Sequence, residues 1–434
     1  MLVGASTNGH FPPINPIHSL SDMLADVLRG ARRLLGGGPG HRVLLLNDTR
    51  DQNNWGSIAL SDALERILRD AIPGLRLESI PSIQLWESIG PSGEVRMRLP
   101  EGADDFDRVA RAWEAGEGGV EAEDFIRRAR RSDLVIYNGE GSIYRRNHSA
   151  IKALFMTWYA RQRLGIPALY LNGGLHLTHV EPFVPPIAAI SLGALDGVAI
   201  REPWSMRCLE EFCPGVRGRL IPDSVFYFAI RPEGMPGYGP VTGGDRDPGG
   251  EPYFCLAGGQ MPYLIGSGPD APVCRMIREL RGLVPRCLIL AREDEDQYLR
   301  RVAEWTGSEF LGPERSYGEV VRLIANARFQ ITGRYHHFIF GTLVGCPAIP
   351  FAAMSHKLQG VNALFGERFG KVRNATSVGL DIPEIVSLAR GFLEKGEPFR
   401  EEIREVARAL GESTREFGSM ALEALARTGR GDTP

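Results

Sequence analysis

The chain has 434 residues, of which 43% are hydrophobic and 24% are charged, so it is long enough for two or three domains with ordinary cores. Its 50 Lys and Arg residues nearly balance its 53 Asp and Glu residues, giving a net charge of -3. This balance excludes the basic class of polyanion-binding proteins, and we expect no nucleic-acid partner.

The six cysteines are scattered along the chain and form none of the closely spaced pairs of a zinc site. We interpret them as reduced core thiols of a cytoplasmic protein. Every apolar run is shorter than the roughly 20 residues of a membrane span, so no transmembrane segment is expected. The first residues also lack the basic and apolar regions of a secretory signal.

Residues 1–40 are predicted to form a helical appendage. Apolar residues recur at helical spacing from His18 to Leu35, and a Gly/Pro stretch at 36–40 then ends the pattern.

Residues 41–230 repeat a unit of short apolar strand, loop and helix. The predicted strands are 43–46, 134–137, 168–171 and 198–200, with helices at 57–68 and 203–212. Strands that are apolar throughout are typical of a parallel sheet covered by helices on both faces. We therefore predict a Rossmann-like domain, with ligands bound at the carboxyl ends of its strands.

Gly, Pro and Asp dominate residues 231–252, which predicts an interdomain linker. The same unit then recurs, with predicted strands at 253–256, 287–290, 329–332 and 348–351. Residues 253–381 are thus predicted to form a second Rossmann-like domain, followed by a helical tail at 382–434. The fold class is α/β, with two parallel-sheet domains facing a cleft in a GT-B-like architecture.

The most informative segment lies where a buried strand ends at Gly333 and an apolar helix begins. Arg334, His336 and His337 fall in the first turn, where free backbone N–H groups and the helix dipole favour an anion. Arginine binds phosphate or carboxylate through a planar fork, and histidine carries a proton near neutral pH. One histidine here would more often be a core residue, but the combination favours a site.

Three further charged residues are candidates for the same cleft. Lys357 follows the next predicted strand and would add a positive charge beside Arg334, although a solvated loop lysine fits nearly as well. Arg201 ends a strand of the first domain and either faces the cleft or joins Glu202 in capping a helix. Asp223 is a candidate acceptor-side carboxylate, and a structural role is the favoured alternative.

Several motifs, in order, resemble those of the polysaccharide pyruvyltransferase family. Its Arg-x-His helix start, its helix-to-strand link and its downstream Lys and Gly are matched by Arg334, His336, Gly345, Pro347, Lys357 and Gly360. Four other segments resemble further elements of the family. Asn54–Ser57 resembles its Asn-x-Gly-Asp loop, and Gly139–Ser142 resembles its Gly-Gly-Gly-Ser loop. Arg201–Ser205 resembles its Arg-Asp/Glu-x-x-Ser element, and Asp223–Phe226 resembles its Asp-Pro-x-Phe element. The resemblance covers roughly residues 43–366.

This resemblance implies that phosphoenolpyruvate is the donor and that two hydroxyls of a sugar in a polysaccharide or glycan precursor are the acceptor. The product would be a pyruvate ketal, with release of phosphate and with no further cofactor. It implies that His336, with His337 as the alternative, is the general acid beside Arg334. Substrate contacts are expected from Gly333, Lys357, Arg201, Asn54, Gly56, Ser57, Gly141, Ser142 and Asp223.

The sequence departs from the family pattern at four positions. Ser57 replaces the usual Asp, Glu140 a Gly, Tyr335 a Leu and Ser224 a Pro. The first two lie in the half expected to bind the acceptor, so they affect the identity of the acceptor more than the donor chemistry.

Two other functions remain open at this point. A nucleotide-sugar glycosyltransferase of the same architecture would also place Arg and Lys at a helix start, and a non-catalytic sugar-binding member would keep the fold without the reaction. The acidic runs at 104–107 and 293–296 are interpreted as solvated helix starts, so no tightly bound metal is expected. The sequence predicts no oligomeric state.

Overall fold

The computed structural model describes residues 40–86, 96–140, 143, 148–236, 250–259, 268–291, 296–352, 355–366, 368–374 and 377–427. The predicted appendage, apart from Gly40, and most of the predicted linker lie outside the described residues.

The first half of the chain forms a six-stranded parallel sheet in the order β2-β1-β3-β4-β5-β6. Its strands are β1 (Arg42–Asp48), β2 (Arg76–Pro81), β3 (Leu134–Asn138), β4 (Ala168–Gly173), β5 (Gly197–Ile200) and β6 (Gly218–Leu220). The helices between them are α1 (Trp55–Ala71), α2 (Ser82–Trp86), α3 (Phe106–Glu114), α4 (Val120–Ala129), α5 (His148–Gln162), α6 (Val184–Gly193) and α7 (Pro203–Phe212).

Strand β1 shows why these sequences are apolar without alternation. Val43 and Leu45 belong to the hydrophobic core on one face of the sheet, whereas Leu44 and Leu46 belong to the core on the other face. Successive side chains point to opposite faces, and helices cover both faces. Every position of such a strand is therefore buried.

The second half forms a five-stranded parallel sheet in the order β11-β10-β7-β8-β9. Its strands are β7 (Tyr253–Ala257), β8 (Arg286–Leu290), β9 (Glu309–Leu311), β10 (Gln330–Thr332) and β11 (Ala348–Pro350). Its helices are α8 (Pro272–Arg281), α9 (Asp296–Thr306), α10 (Tyr317–Asn326), α11 (Tyr335–Leu343) and α12 (Lys357–Ala363). The strand order reverses between β7 and β10, a position where open α/β sheets bind ligands.

Two C-terminal helices complete the fold. The long helix α13 (Val378–Ser413) bends at Gly396, whose φ of 57° is left-handed, and packs against α8 and the 3-10 turn Ser224–Ala229. Helix α14 (Glu416–Arg427) returns to α1 of the first sheet, where Gly418 lies against Ala71. The tail therefore contacts elements of both halves.

The predicted fold class is confirmed: the chain has two parallel-sheet α/β halves. The short strands β2, β6 and β9 were not predicted, because they consist mostly of exposed or partly buried residues and lack an apolar run. The exact domain boundaries remain predictions. Within the described part of the chain, no helix combines the length and apolar character required to cross a bilayer.

Candidate active site

Charged side chains from both sheets meet at the carboxyl ends of their strands. Glu140 follows β3, Arg201 follows β5, and the 3-10 turn capped by Asp223 comes shortly after β6. From the second sheet, His336 lies in the first turn of α11 after β10, and Lys357 begins α12 after β11. The topology thus brings together residues that are more than 200 positions apart in the sequence.

Arg201 and Asp223 form the buried centre of this cluster. Arg201 Nη1 donates to Asp223 Oδ2 at 2.7 Å, and the two side chains are 1% and 0% exposed. Asp223 also caps its 3-10 turn by accepting from the Val225 N–H. Arg201 and Asp223, both expected to contact substrate, are therefore bound to each other, and Asp223 also holds the turn that it caps.

His336 faces the same carboxylate from the second half of the chain. Its Nε2 lies 3.6 Å from Asp223 Oδ2, within ion-pair range but beyond a hydrogen bond. Burial alone would raise the pKa of the Asp223 carboxyl, but His336 and the Arg201 guanidinium outweigh burial and lower that pKa to about 2. Asp223 is therefore a fixed negative charge between an arginine and a histidine.

Tyr335 also belongs to the cluster, because its ring packs against Arg201. The Arg201 guanidinium carbon lies 4.3 Å from the centre of the Tyr335 ring, in a cation–π contact. Burial raises the pKa of the Tyr335 phenol well above its ordinary value, although the neighbouring Arg201 acts in the opposite direction. The phenol is therefore a neutral hydrogen-bond donor at physiological pH.

Three polar atoms in this cluster are buried without a hydrogen-bond partner among the described residues. They are Arg201 Nε, Tyr335 Oη and His336 Nε2. Buried polar groups are nearly always paired, so neighbouring exceptions indicate a site that a ligand or water completes. Arg201 and Tyr335 can donate to an anion, and His336 can donate when its Nε2 carries a proton.

Lys357 contributes a further positive charge. It is half-buried, and it makes no hydrogen bond or ion pair with any residue that the structure describes. Burial, followed by repulsion from Arg201, lowers the pKa of its amine to about 8, against the opposing effects of Glu140, Glu202 and Asp223. Lys357 therefore belongs to the charged cluster, as its position after a strand predicts.

Glu202 lies next to Arg201 and contacts elements of both halves of the chain. It caps α7 by accepting from the Trp204 and Ser205 N–H groups at 2.7 and 2.8 Å. A Cβ on Gly360 would lie 1.8 Å from Glu202 Oε2, so only glycine allows α12 to approach this carboxylate. Close packing against Glu202 thus explains why position 360, which matches the family motif, is a glycine.

A pair of histidines lies beside Glu202. His356 Nε2 is 3.4 Å from Glu202 Oε1, and its ring stacks on His176 with the ring centres 4.8 Å apart. His176 follows β4 and His356 precedes α12, so this stack joins the two halves of the chain.

The loop at the start of α1 contacts the site in two ways. Asn54 is the helix cap, since its side chain accepts from the Gly56 N–H at 3.2 Å, and Gly56 lies against the His336 ring. Ser57 is 1% exposed, and its hydroxyl donates to Glu140 Oε1 at 2.9 Å. Two of the positions that depart from the family pattern are therefore in direct contact.

The helix start that was predicted at Gly333 is present. Gly333 N–H approaches the Ala257 and Gly258 carbonyl oxygens at 3.3 and 3.1 Å, and half-buried Arg334 is the N-cap residue of α11. Gly259 adopts a φ of 153°, and a Cβ there would lie 2.7 Å from the Gly333 oxygen. Backbone is therefore crowded at the point where the second sheet reverses its strand order.

His337 contacts the first half of the chain through Trp55. Its ring centre lies 5.4 Å from that of Trp55, whose indole N–H donates to the Arg315 carbonyl at 2.7 Å. These contacts join α1 to the second half. The histidine that lies within ion-pair distance of Asp223 is His336. Gly141 and Ser142, also expected to bind substrate, lie outside the described residues.

Several residues of the site were not singled out as functional in the sequence. Glu140 and Tyr335 stood out only as departures from the family pattern, Glu202 only as a possible helix cap, and His356 not at all. Glu140 could have been identified as a site residue from its position just after a predicted strand. Tyr335 carried none, because an aromatic residue at the start of an apolar helix ordinarily belongs to the core.

Buried asparagines hold the strand ends of the first sheet in place. Asn47 Nδ2 donates to the Asn138 carbonyl at 2.7 Å, and Asn138 Nδ2 donates back to the Asn47 carbonyl at 3.2 Å. Asn172 Oδ1 accepts from the Ser224 N–H at 2.9 Å. Ser224 stands where the family pattern has proline, and it uses the backbone donor that proline lacks.

Solved structures with similar folds include two sugar-nucleotide epimerases. A UDP-GlcNAc 2-epimerase from Neisseria meningitidis bound to UDP-GlcNAc has a TM-score of 0.56 and 10% identity, covering 88% of this chain and 100% of that chain. A UDP-N-acetylglucosamine 2-epimerase from Rickettsia bellii has a TM-score of 0.54 and 12% identity, covering 91% and 99%. Identities this low show a common fold alone, which agrees with the GT-B-like architecture.

Sequence comparison gives a more specific result. No curated protein matches the chain. A family model described as polysaccharide pyruvyl transferase matches residues 54–355, a range that begins at the cap of α1 and includes Arg201, Asp223 and His336. The chain therefore belongs to the polysaccharide pyruvyl transferase family.

Proposed function

We propose that the protein transfers the pyruvyl group of phosphoenolpyruvate onto two hydroxyls of a sugar, forming a ketal and releasing phosphate. The observation that carries this proposal is the set of buried, unpartnered polar groups around Arg201, with the Lys357 amine nearby. Phosphoenolpyruvate carries a phosphate and a carboxylate in a small volume, and such a ligand needs several cationic or N–H groups close together.

The donor half of the reaction needs an acid and an anion-binding group. When the first sugar oxygen bonds to C2 of the enol, the methylene carbon takes up a proton and becomes a methyl group. We assign this proton to His336 because its Nε2 lies in the charged cluster, 3.6 Å from Asp223 Oδ2, and histidine is the commonest acid and base in enzymes. Arg201, Arg334 and Lys357 then stabilise the phosphate as its bond to C2 breaks.

The acceptor half needs a base. Asp223 is committed to Arg201, and Glu202 is committed to the N-terminus of α7. Half-buried Glu140 accepts a hydrogen bond from Ser57 through one oxygen, and no residue that the structure describes donates to its other oxygen. We assign to Glu140 the proton of the first sugar hydroxyl.

The second hydroxyl completes the ketal. Its oxygen bonds to C2 as the C2–O bond to phosphate breaks, and its proton leaves with the phosphate. His336 regains a proton from solvent and Glu140 loses one to solvent, so the donor, the two hydroxyls, the ketal and inorganic phosphate balance.

Product analysis tests this function. The protein is incubated with phosphoenolpyruvate and a panel of methyl hexosides, and the products are analysed by mass spectrometry and by phosphate release. The proposal predicts a hexoside that gains one pyruvate ketal for each phosphate released. If UDP-hexoses instead transfer their sugar to the same panel, the chain is a glycosyltransferase and the proposal is wrong.

A further inference from the structure

Tyr335 places a hydroxyl in the site where the family pattern has leucine. The residue lies in the first turn of α11, between Arg334 and His336, and it is 8% exposed. One face of its ring carries the Arg201 guanidinium, and the ring meets the His336 ring edge to face with the centres 5.1 Å apart. The side chain is thus fixed on two sides by residues of the site.

The Tyr335 hydroxyl is buried and has no hydrogen-bond partner among the described residues. Tyrosine hydroxyls in protein interiors ordinarily find one, and this protein follows that rule elsewhere. Tyr317 donates to Asp62 Oδ2 at 2.9 Å, and Tyr253 donates to the Leu323 carbonyl at 2.7 Å. The absence of a hydrogen-bond partner among the described residues is therefore specific to Tyr335 and is not shared by these two buried tyrosines.

The surroundings of this hydroxyl indicate which kind of partner is missing. It lies among the charges of Arg201, Asp223, Glu202 and Glu140. None of these carboxylates accepts a hydrogen bond from Tyr335: Asp223 binds Arg201, Glu202 caps α7, and Glu140 binds Ser57 through one of its oxygens. A neutral phenol beside a guanidinium can supply one more donor to an anion that binds to that guanidinium.

We propose that the Tyr335 hydroxyl donates a hydrogen bond to an anionic oxygen of the donor substrate bound at Arg201. This inference rests on the proposed function, because it takes phosphoenolpyruvate as that substrate. Leucine at this position supplies no donor, so the contact is an addition made by this chain. Tyr335 thus has two roles: its ring positions Arg201, and its hydroxyl binds substrate.

Two conservative variants test the proposal, Tyr335→Phe and Tyr317→Phe. Each removes one buried hydroxyl near the start of a helix, but only Tyr317 has a protein partner for it. Binding of phosphoenolpyruvate is measured by titration calorimetry, and stability is measured by thermal unfolding without ligand. For Tyr335→Phe we expect the Kd to rise about tenfold or more while the unfolding temperature stays equal or increases.

The matched control should behave in the opposite way. Tyr317→Phe removes the hydrogen bond to the part-buried Asp62 carboxylate, so it should lower the unfolding temperature and leave the Kd unchanged. Titrations with inorganic phosphate and with pyruvate identify the bonded group, since only the fragment that carries the bonded oxygen should bind Tyr335→Phe more weakly.

The outcomes separate this proposal from the function on which it rests. If the wild type does not bind phosphoenolpyruvate, the proposed function fails, and this inference fails with it. If the wild type and Tyr335→Phe bind phosphoenolpyruvate equally well, the inference is overturned and the proposed function stands. A loss of stability in Tyr335→Phe would show that its hydroxyl has a structural partner, which also overturns the inference.

Discussion

The ring of His336 occupies the space that a side chain at Gly56 would need. A Cβ built on Gly56 would lie 2.2 Å from His336 Nδ1 and 2.4 Å from His336 Cβ. The two residues lie in helices α1 and α11, which belong to different halves of the chain, 280 positions apart. The glycine of the α1 loop is therefore required for the position of the histidine that faces Asp223.

Gly56→Ala should disturb the site as well as the packing. The clash involves the Cβ of His336, so a rotation of its ring cannot relieve it, and we expect a loss of about 1–3 kcal/mol in the free energy of unfolding. The displaced imidazole should also reduce turnover far more than it reduces donor binding. Urea unfolding and phosphate-release kinetics measure these effects.

Gly391→Ala is the matched control for this variant. Gly391 lies within α13, and a Cβ there would meet nothing within 4 Å. Alanine should stabilise the helix by about 0.5–1 kcal/mol and leave turnover unchanged. Equal behaviour of the two variants would contradict the role given to Gly56.

Lys357 should make donor binding sensitive to pH. Its pKa is lowered from 10.5 to about 8, so its positive charge is lost well below the pH at which an exposed lysine loses it. Each pH unit above this pKa reduces the charged fraction by about tenfold. The affinity for phosphoenolpyruvate should therefore fall between pH 7 and pH 9 in the wild type, and binding at pH 9 should take up a proton.

The same lowered pKa of Lys357 has the opposite effect on stability: as the pH rises, donor affinity falls but the free energy of unfolding increases. Because the unfolded chain binds a proton at Lys357 more tightly than the folded chain does, this residue makes the ligand-free protein more stable as the pH rises from about 8 to 10.5. Lys357→Met should remove both effects. Calorimetry in buffers of different ionisation enthalpy measures the proton uptake; a wild type without any uptake would contradict the assignment.

Asp223→Asn should cost more stability than the loss of a surface carboxylate. It leaves the Arg201 guanidinium buried without its counter-ion, and such a loss typically costs about 3–5 kcal/mol. The wild type should lose the contribution of Asp223 as the pH falls from about 4 through 2, since the pKa of this carboxyl is depressed. The variant should lack that acid dependence in urea titrations.

Asp105→Asn provides the comparison for Asp223. Asp105 forms an ion pair at the surface with Arg108, at 2.6 Å. Exposed pairs contribute little, so this variant should unfold almost as the wild type does. A comparable loss in both variants would show that burial is not what makes the Arg201–Asp223 pair important.

Glu140→Gln should separate acceptor chemistry from donor binding. If Glu140 takes the proton of the acceptor hydroxyl, the Glu140→Gln variant should bind phosphoenolpyruvate like the wild type. In the presence of an acceptor, it should release phosphate at least about 100-fold more slowly than the wild type. Ser57→Ala keeps the carboxylate and loses only its hydrogen bond, so its effect should be smaller. Normal turnover in Glu140→Gln would exclude this role.

The sequence predicted the strand-and-helix framework well, because strands buried on both faces, such as Val43–Leu46, are apolar without interruption. It also predicted that Arg334 and His336 begin a helix after a buried strand. It could not predict the pairing of Arg201 with Asp223 or of Ser57 with Glu140. Those contacts depend on which strand ends become neighbours, which is a property of the assembled sheets.

Thermal unfolding with phosphoenolpyruvate, compared with UDP and UDP-GlcNAc, tests the central claim most directly. A ligand that binds only the folded state stabilises it, by about 2.7 kcal/mol at one hundred times its Kd. We expect a higher unfolding temperature with phosphoenolpyruvate alone, and a loss of that increase in Arg334→Ala. Stabilisation by UDP-GlcNAc but not by phosphoenolpyruvate would contradict this claim.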